Sequence, residues 1–382
     1  MRSVPRRCLP AWFGLILAGV LLAPCATATP LELRVISYNV YLVPYTAPAR
    51  AERLERLPEK IGELRPDVVM LQEVWSEADS ATLENALRAQ GLTYVERDAS
   101  NAPFSYDSTG MIIASRFPIT EVQGHDFELG RLPHTPYHLD WIGKKGALEV
   151  RIQTPLGTLR FVNTHFQASY ATGSYEAVRV AQSLELSHWM RDETLPLVLA
   201  GDFNARPDWP SARLLRERSG ARLPEGRWRV DHVLLRDGAN LAVESIETQR
   251  LLHEPVALSD GSQRRLSDHR AVFTRLRVSA KPPGAPAVRA PDPGLLKEAK
   301  AVLLADLTRT TRQKYASYVA LAACSVGLAW AFQRRRRAGG RRFLALAAAC
   351  VLVAVWLVYF VVGYVPHRVA GVDRALAMLS ET

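Results

Sequence analysis

Acidic, amide and imidazole side chains follow several apolar segments of this 382-residue chain. Asn39 and His165 each end an apolar run, and Glu73 follows the run that leads to Gln72. After another such run, Asp202 and Asn204 stand two residues apart, which places them on the same side of an extended chain. Carboxylate and amide oxygens are ligands that Mg²⁺ prefers, and imidazole transfers protons near neutral pH.

Two further segments place a carboxylate next to an imidazole, Asp231-His232 and Asp268-His269. Asp and Asn commonly begin turns after strands, so each site taken singly has an ordinary structural explanation. Six such sites in one stretch of chain favour a catalytic centre.

The segments that carry these residues alternate between strand-like and helical patterns. Runs rich in β-branched residues predict strands, at Leu31–Val40, Asp67–Gln72, Gly110–Ser115, Ala147–Gln153, Thr158–Thr164, Pro196–Ala200, Arg229–Leu235 and Ala271–Val278. Apolar residues with helical spacing predict helices, at Ala49–Leu64, Ala81–Gln90, Tyr175–Arg191 and Trp209–Arg218. Several direct strand-to-strand steps favour two sheets packed face to face under helices, and the lack of a glycine-rich phosphate loop argues against a Rossmann or P-loop enzyme.

The order of the polar segments resembles that of the endonuclease/exonuclease/phosphatase superfamily of metal-dependent phosphodiesterases. The matching segments are Ser37-Tyr38-Asn39, Gln72-Glu73-Val74, Asn163-Thr164-His165, Gly201-Asp202-Phe203-Asn204, Arg229-Val230-Asp231 and Ser267-Asp268-His269. The resemblance implies an α/β fold, a four-layer sandwich of two mixed β-sheets flanked by helices, with the active site at one rim. It also implies a bound Mg²⁺, with Mn²⁺ or Co²⁺ as alternatives, and predicts Asn39, Glu73 and Asp268 as metal ligands.

The catalytic roles combine this resemblance with the chemistry of the side chains. Asp202 would orient or deprotonate the attacking water, and Asn204 would donate a hydrogen bond to the reacting phosphoryl group. Asp231 would accept a hydrogen bond from His269 and so set its tautomer. His165 would serve the other side of the phosphate, and which of His165 and His269 is acid or base stays open.

Two short segments and the C-terminal region resemble neutral sphingomyelinases. The segments are Asn39-Val40-Tyr41-Leu42-Val43-Pro44 and Asp140-Trp141-Ile142-Gly143-Lys144-Lys145-Gly146-Ala147, and the second predicts Asp140 and Lys145 as substrate-binding residues. The resemblance implies hydrolysis of a phospholipid headgroup, from sphingomyelin to ceramide and phosphocholine, by attack of an activated water. Residues 236–265 lack a clearly aromatic hairpin, so a different headgroup stays open.

The two ends of the chain carry membrane signals. Arginines, a short apolar run and Ala26-Thr27-Ala28 predict a signal peptide over residues 1–28. Residues 29–278 form the predicted catalytic domain, 279–314 a Pro-rich linker with a short helix, and 315–332 and 343–365 two transmembrane helices. The arginine-rich loop 333–342 is predicted to be cytoplasmic and residues 366–382 to be an outward-facing tail. The catalytic domain would then lie on the periplasmic side of a bacterial inner membrane, with a eukaryotic secretory membrane as the alternative.

The formal net charge of +10 does not indicate nucleic-acid binding. Three arginines precede the apolar run of the signal peptide and six lie in the loop, which leaves the rest of the chain near +1. An exported Mg²⁺-dependent nuclease or other phosphoesterase is the alternative, and nucleic acid is expected as a partner only in that case. A non-catalytic membrane-bound binding protein on the same fold is a further alternative. The expected partner is a membrane phospholipid, and no obligatory protein partner is inferred.

Overall fold

A computed structural model describes residues 29–99, 107–130, 132, 138–191, 193–226, 228–284, 290–338 and 341–381. The predicted signal peptide lies outside the described residues. The strands are β1 (Leu31–Asn39), β2 (Val68–Gln72), β3 (Tyr94–Asp98), β4 (Met111–Ser115), β5 (Ile119–Asp126), β6 (Gly146–Thr154), β7 (Gly157–His165), β8 (Leu197–Asp202), β9 (Asp231–Arg236), β10 (Leu241–Leu251), β11 (Val256–Ala257), β12 (Gln263–Arg264) and β13 (Ala271–Ala280). The helices are α1 (Arg50–Glu63), α2 (Glu77–Ala89), α3 (Glu176–Trp189), α4 (Pro210–Ser219), α5 (Pro293–Ala338), α6 (Arg341–Tyr359) and α7 (Val365–Ser380).

Two mixed sheets form the centre of the catalytic domain. The first has the order β10-β13-β1-β2-β4-β3, and the second has the order β5-β6-β7-β8-β9. The pairs β1–β2 and β7–β8 are parallel, and the other neighbouring strands in these two sheets are antiparallel. A separate pair, β11 and β12, forms a short hairpin.

Alternation along the strands divides the apolar side chains between two sets of layers. Val35 and Met70 face the core between the sheets, where they meet Phe161 and Val198 of the second sheet. Their neighbours face outward: Ile36 and its equivalents pack under α1 and α2, and Val162 and its equivalents pack under α3 and α4. This follows from the two-residue period of a strand. The predicted four-layer sandwich of two mixed sheets flanked by helices is confirmed.

The strand directions bring the polar chain segments to one edge, which we call the rim. The parallel strands β1 and β2 end at Asn39 and Gln72, and β7 and β8 end at His165 and Asp202. Strand β9 is antiparallel to β8 and begins at Asp231, directly opposite Asp202. The rim therefore collects side chains that are far apart in the sequence.

The C-terminal region differs in detail from the predicted boundaries. Helix α5 runs without interruption for 46 residues, and it joins the predicted short helix and the first predicted span. Two helical segments, Pro293–Arg334 and Leu344–Ser380, are long and apolar enough to cross a membrane by length and composition. A π-helical segment, Phe360–Tyr364, connects α6 to α7.

Helix α7, which covers most of the predicted outward-facing tail, packs against the catalytic domain. Its Val372, Ala375 and Leu379 are buried in one cluster with residues of α3 and the start of α5. Close by, Arg368 Nε donates to Asp306 Oδ2 at 2.6 Å, and both side chains are at most 4% exposed. The chain therefore returns to the catalytic domain after the second apolar helix.

We expect Arg368→Ala to detach α7 from the domain. The substitution removes one of the two arginine partners of the buried Asp306 carboxylate, and Arg309 remains. The cost should therefore lie below about 3–5 kcal/mol, which is what removal of a sole partner from a buried pair costs. Cleavage of the detergent-solubilised protein by trypsin should become faster within the C-terminal region. The matched control is Arg374→Ala on the same helix, whose pair with Glu128 is exposed and contributes about 0–1 kcal/mol. Equal protease resistance of the two variants would contradict the prediction.

Candidate active site

Asn39 connects the two sheets at the rim. Its side chain is fully buried, and Nδ2 donates to Glu73 Oε1 at 2.9 Å and to Asp202 Oδ2 at 3.0 Å. Glu73 follows β2 in the first sheet, whereas Asp202 ends β8 in the second. The amide therefore holds two carboxylates from different sheets beside each other.

Glu73 has the features of a carboxylate that binds a cation. Its backbone has φ 65°, in the left-handed region, which costs a non-glycine residue about 1–3 kcal/mol and is common at functional sites. Its Oε2 is buried with no hydrogen-bond partner among the described residues. Burial raises the pKa of Glu73 to about 7, against the opposing effects of the Lys145 ammonium and the Asn39 amide. A bound cation would satisfy this oxygen and favour the ionised form.

Asp202 and Asn204 are held by a tight turn after β8. Asp202 Oδ1 accepts from the Asn204 backbone N at 2.8 Å, and Asn204 Nδ2 donates to the Phe166 carbonyl at 2.9 Å. Burial raises the pKa of Asp202 to about 6, an effect that the neighbouring His269 opposes. Gly201 has φ +148°, and a Cβ there would lie 1.9 Å from the Thr164 carbonyl oxygen. Glycine thus permits the close approach of β7 and β8 that positions Asp202.

His269 is paired with Asp231 across the rim. His269 Nδ1 lies 2.8 Å from Asp231 Oδ1, and His269 Nε2 lies 3.6 Å from Asp202 Oδ2. Burial alone would lower the pKa of His269, but the carboxylates of Asp202 and Asp231 raise it to about 10. The arrangement fixes the proton on Nδ1 and directs Nε2 toward Asp202.

A buried chain of polar groups leads from Asp140 to His165. Lys145 Nζ lies 3.1 Å from Asp140 Oδ1 and 2.9 Å from His165 Nε2. Asp140 is itself held by Gln167 Nε2 and the Ala168 backbone N, each at 2.6 Å from Oδ2. Burial and the Lys145 ammonium hold the pKa of His165 well below its ordinary value. His165 Nε2 also lies 3.7 Å from Asp202 Oδ2, so this chain reaches the same carboxylate as His269.

The structure brings the predicted site residues together at the rim, where Asp268, next to His269 in the chain, is the most exposed of them. Its side chain is exposed, and Oδ1 accepts from Ser267 Oγ at 3.3 Å.

Ligand atoms of Asp202, Asp231 and His269 lie within 4.8 Å of one another. Because His269 Nδ1 and one Asp231 oxygen already bond to each other, this trio suits proton transfer better than metal binding. The unpartnered Glu73 oxygen beside the Asn39 amide fits a hard cation better. The assignment of Asn39, Glu73 and Asp268 as ligands stays a prediction.

Three further residues at the rim were not predicted from the sequence to be functional. Arg53 of α1 is buried and donates to the carbonyls of Leu266, Val40 and Tyr41, so it holds the loops on both sides of the rim. Arg250 Nη2 lies 3.5 Å from Asp231 Oδ2. Trp75 stacks on the His165 ring. Only Trp75 had a signal, because it stands two residues after Glu73.

The fold and the rim define a class of α/β sandwich proteins whose site is built from carboxylate, amide and imidazole groups. The chain belongs to the Endonuclease/Exonuclease/phosphatase family, whose sequence profile matches residues 36–269. The resemblance drawn from the motifs is therefore confirmed, and the matched range begins in β1 and ends at His269.

Individual relatives share the catalytic region. Sphingomyelin phosphodiesterase 2 of Rattus norvegicus is 35% identical over 198 residues, which cover 50% of this chain and 46% of the relative. Inositol phosphosphingolipids phospholipase C of Schizosaccharomyces pombe is 32% identical over 182 residues, which cover 46% of this chain and 42% of the relative. The chain thus spans about half the length of these relatives. β-Toxin of Staphylococcus aureus has a similar fold, with a TM-score of 0.50 at 19% identity over 63% of this chain and 99% of the toxin chain.

Proposed function

We propose that this chain is a metal-dependent phosphodiesterase that hydrolyses the headgroup of a sphingolipid, with sphingomyelin as the first candidate. The observation that carries the proposal is the unpartnered Glu73 oxygen beside Asn39 and Asp202, next to the Asp231–His269 pair. This set offers cation ligands and a proton acceptor within one rim. The relatives named for sphingolipid hydrolysis share this part of the chain and support the choice of substrate.

The proposed reaction uses the residues of the rim on two sides of the phosphate. Glu73 and Asn39 would hold Mg²⁺, with Mn²⁺ or Co²⁺ as alternatives, and the ion would neutralise charge on the phosphoryl oxygens. Asp202 Oδ2 and His269 Nε2, 3.6 Å apart, can both contact one water molecule. Beside a bound cation the pKa of His269 would fall below that of the cation-free site, so that Nε2 can accept a proton. The water oxygen forms the new bond to phosphorus, and its proton passes to this pair. Asp231 then stabilises the imidazolium form of His269.

The remaining groups would bind the phosphate and protonate the leaving oxygen. Asn204 would donate to the phosphoryl group, and Lys145 would place its ammonium, which Asp140 holds, near the phosphate charge. The bond from phosphorus to the ceramide oxygen breaks, and this oxygen takes a proton from the Lys145 ammonium, because the low pKa of His165 leaves its ring neutral. Phosphocholine and ceramide are the products.

The position of the apolar helices supports a lipid substrate. Thr172, Gly173 and Tyr175 line a small cavity of about 50 Å³ together with Arg309 of α5 and Tyr364 of the π-helical segment. The loop that carries these residues follows Gln167 and Ala168, which bind Asp140. One side of the active site therefore adjoins the helices that could enter a bilayer, which would raise the effective concentration of a lipid substrate.

We also propose that residues 315–332 and 343–365 cross the membrane twice, with the catalytic domain on the periplasmic side of a bacterial inner membrane. The packing of α7 on the catalytic domain supports this, because it keeps both ends of the helical pair on one side. The arginine-rich loop between the helices would face the cytoplasm. A reporter fused after Thr382 should be active outside the cytoplasm.

Hydrolysis of defined substrates tests the proposed function. The full-length protein in detergent is incubated with sphingomyelin, inositol phosphosphingolipid, phosphatidylcholine or plasmid DNA, with Mg²⁺ or with EDTA. We expect release of the phosphorylated headgroup from a sphingolipid with Mg²⁺ and none with EDTA. Asp202→Asn, purified in parallel, reveals any contaminating activity. Cleavage of DNA with all three lipids intact would overturn the lipid proposal and favour the nuclease alternative.

A further inference from the structure

Trp75 lies where the chain segments of the active site meet. Its side chain is 4% exposed. Its ring stacks on His165 with centroids 6.2 Å apart, and Lys145 Nζ lies 5.8 Å from its ring centroid. Glu73, two residues earlier, carries the left-handed backbone described above. One indole therefore contacts residues of both sheets at the rim.

Two glycines make room for this indole. A Cβ at Gly143 would lie 2.2 Å from Trp75 Nε1, and a Cβ at Gly110 would lie 2.6 Å from Trp75 Cδ1. Gly143 belongs to the segment that carries both Asp140 and Lys145, which we call the 139–145 loop. The backbone of this loop passes directly over the indole.

Further contacts hold the 139–145 loop and the indole together. Ile142 and Val43 pack in one apolar cluster with Trp75. The Lys144 backbone N donates to the Ser108 carbonyl, and the Val74 backbone N donates to the Gly110 carbonyl, each at 2.9 Å. The segments before β4 and after β2 are therefore joined to the loop around one aromatic ring.

We propose that Trp75 is a positioning residue, which sets the 139–145 loop and the His165 ring relative to Glu73 and thereby places the Lys145 ammonium for the reaction. The proposal rests on the proposed phosphodiesterase function. The ammonium is held on three sides, by Asp140, by His165 and by the face of the indole. A buried cation over an aromatic face is attracted by the ring, and loss of the ring removes both this attraction and the support of the loop. Lys145 and His165 would then reach other side-chain positions.

Substitutions of Trp75 and its glycine contact test this proposal by steady-state hydrolysis of the sphingolipid. We expect Trp75→Leu to lower kcat about 10²-fold, because a displacement of about 1 Å at a reacting group can cost this much. Trp75→Phe keeps an aromatic face and should recover most of the loss. Gly143→Ala should resemble Trp75→Leu, because its new methyl group displaces the indole. The matched control is Gly124→Ala, where a Cβ meets no atom within 4 Å. Equal kcat for the two alanine variants would overturn the proposal.

A double-mutant cycle shows whether Trp75 acts through Lys145. If it does, Trp75→Leu combined with Lys145→Met should be no slower than Lys145→Met alone, because residues that act as a unit are not additive. If the fold-losses in kcat of the two single variants multiply in the double variant, the proposed role is overturned. Thermal unfolding of each variant identifies a loss of kcat that comes from misfolding. If Trp75→Leu misfolds, Gly143→Ala takes its place in the double-mutant cycle.

A measurement without substrate separates this proposal from the proposed function. The His165 Cε1–H resonance in the NMR spectrum is shifted by the ring current of the stacked indole. It should move in Gly143→Ala and stay in place in Gly124→Ala, whichever lipid the enzyme hydrolyses. An unchanged His165 resonance in Gly143→Ala would overturn the positioning role. Absence of phosphodiesterase activity in the wild-type protein would overturn the proposed function instead.

Discussion

Replacement of His269 by asparagine is expected to lower kcat for sphingolipid hydrolysis by about 10²–10⁴-fold, the usual contribution of a general acid or base. Asparagine keeps a polar side chain of similar reach but cannot take up a proton from the attacking water. The structure places His269 between Asp231, which holds Nδ1, and Asp202, which lies near Nε2. Initial rates of headgroup release at saturating lipid measure the effect.

The control for this substitution is His188→Asn, which changes a histidine in the last turn of α3 outside the rim. Its rate should equal that of the wild-type protein. Near-normal turnover of His269→Asn would show that the Asp231–His269 pair is not the proton acceptor. The proton would then have to pass through Asp202 or the Lys145–His165 side.

Substitution of Glu73 by glutamine is expected to lower Mg²⁺-dependent activity about 10²–10³-fold and to stabilise the metal-free protein at pH 8. Loss of a metal-binding carboxylate removes several kcal/mol of transition-state stabilisation, which corresponds to about 10²–10³ in rate. The stability effect comes from burial, which raises the pKa of Glu73 from 4.5 to about 7. Such a carboxyl stabilises the fold fully below about pH 4.5, and this contribution is lost as the pH rises through about 7.

At pH 8 the wild-type protein therefore contains an ionised buried carboxylate, and its replacement by a neutral amide removes a cost of at most about 3 kcal/mol. Thermal unfolding in EDTA should give a higher Tm for Glu73→Gln than for the wild-type protein. Addition of Mg²⁺ should raise the Tm of the wild-type protein and leave that of the variant unchanged. Glu32→Gln is the control, because Glu32 is exposed near the end of β1 opposite Asn39. A Mg²⁺-dependent rise in Tm for Glu73→Gln would exclude Glu73 as an essential ligand.

The central strands of the two sheets were predictable, whereas three of the four edge strands were not. The predicted runs correspond to β1, β2, β4, β6, β7, β8, β9 and β13, which supply most of the core between the sheets. The prediction missed β3, β5 and β10, which are three of the four edge strands of the two sheets, and it missed the short pair β11 and β12. The fourth edge strand, β9, is buried along its whole length and was predicted. An edge strand exposes part of its surface and carries charged residues, so its apolar pattern is weak. In β5, six of the eight residues are exposed, which removes the alternation on which the prediction depends.

The candidate site was predictable as a set of residue types, and less so as an arrangement. A strand end followed by a carboxylate, amide or imidazole is visible in the sequence, and the order of six such segments was sufficient to indicate the family. Lys145 could have been an ordinary solvated loop lysine. Its burial between Asp140, His165 and Trp75 depends on a loop path that no local pattern encodes.

The sequence by itself determined which chemical groups this protein can use, the family to which it belongs and the apolar helices that follow its catalytic domain. Only the tertiary structure decided which of these groups meet, as when Asn39 bonds to Asp202 across 163 residues of chain. It also decided the direction of each pKa shift, so that the pKa of His269 is raised and the pKa of His165 is lowered. The physical reason is that desolvation and charge interactions depend on distances through space, and residue types along the chain do not specify those distances.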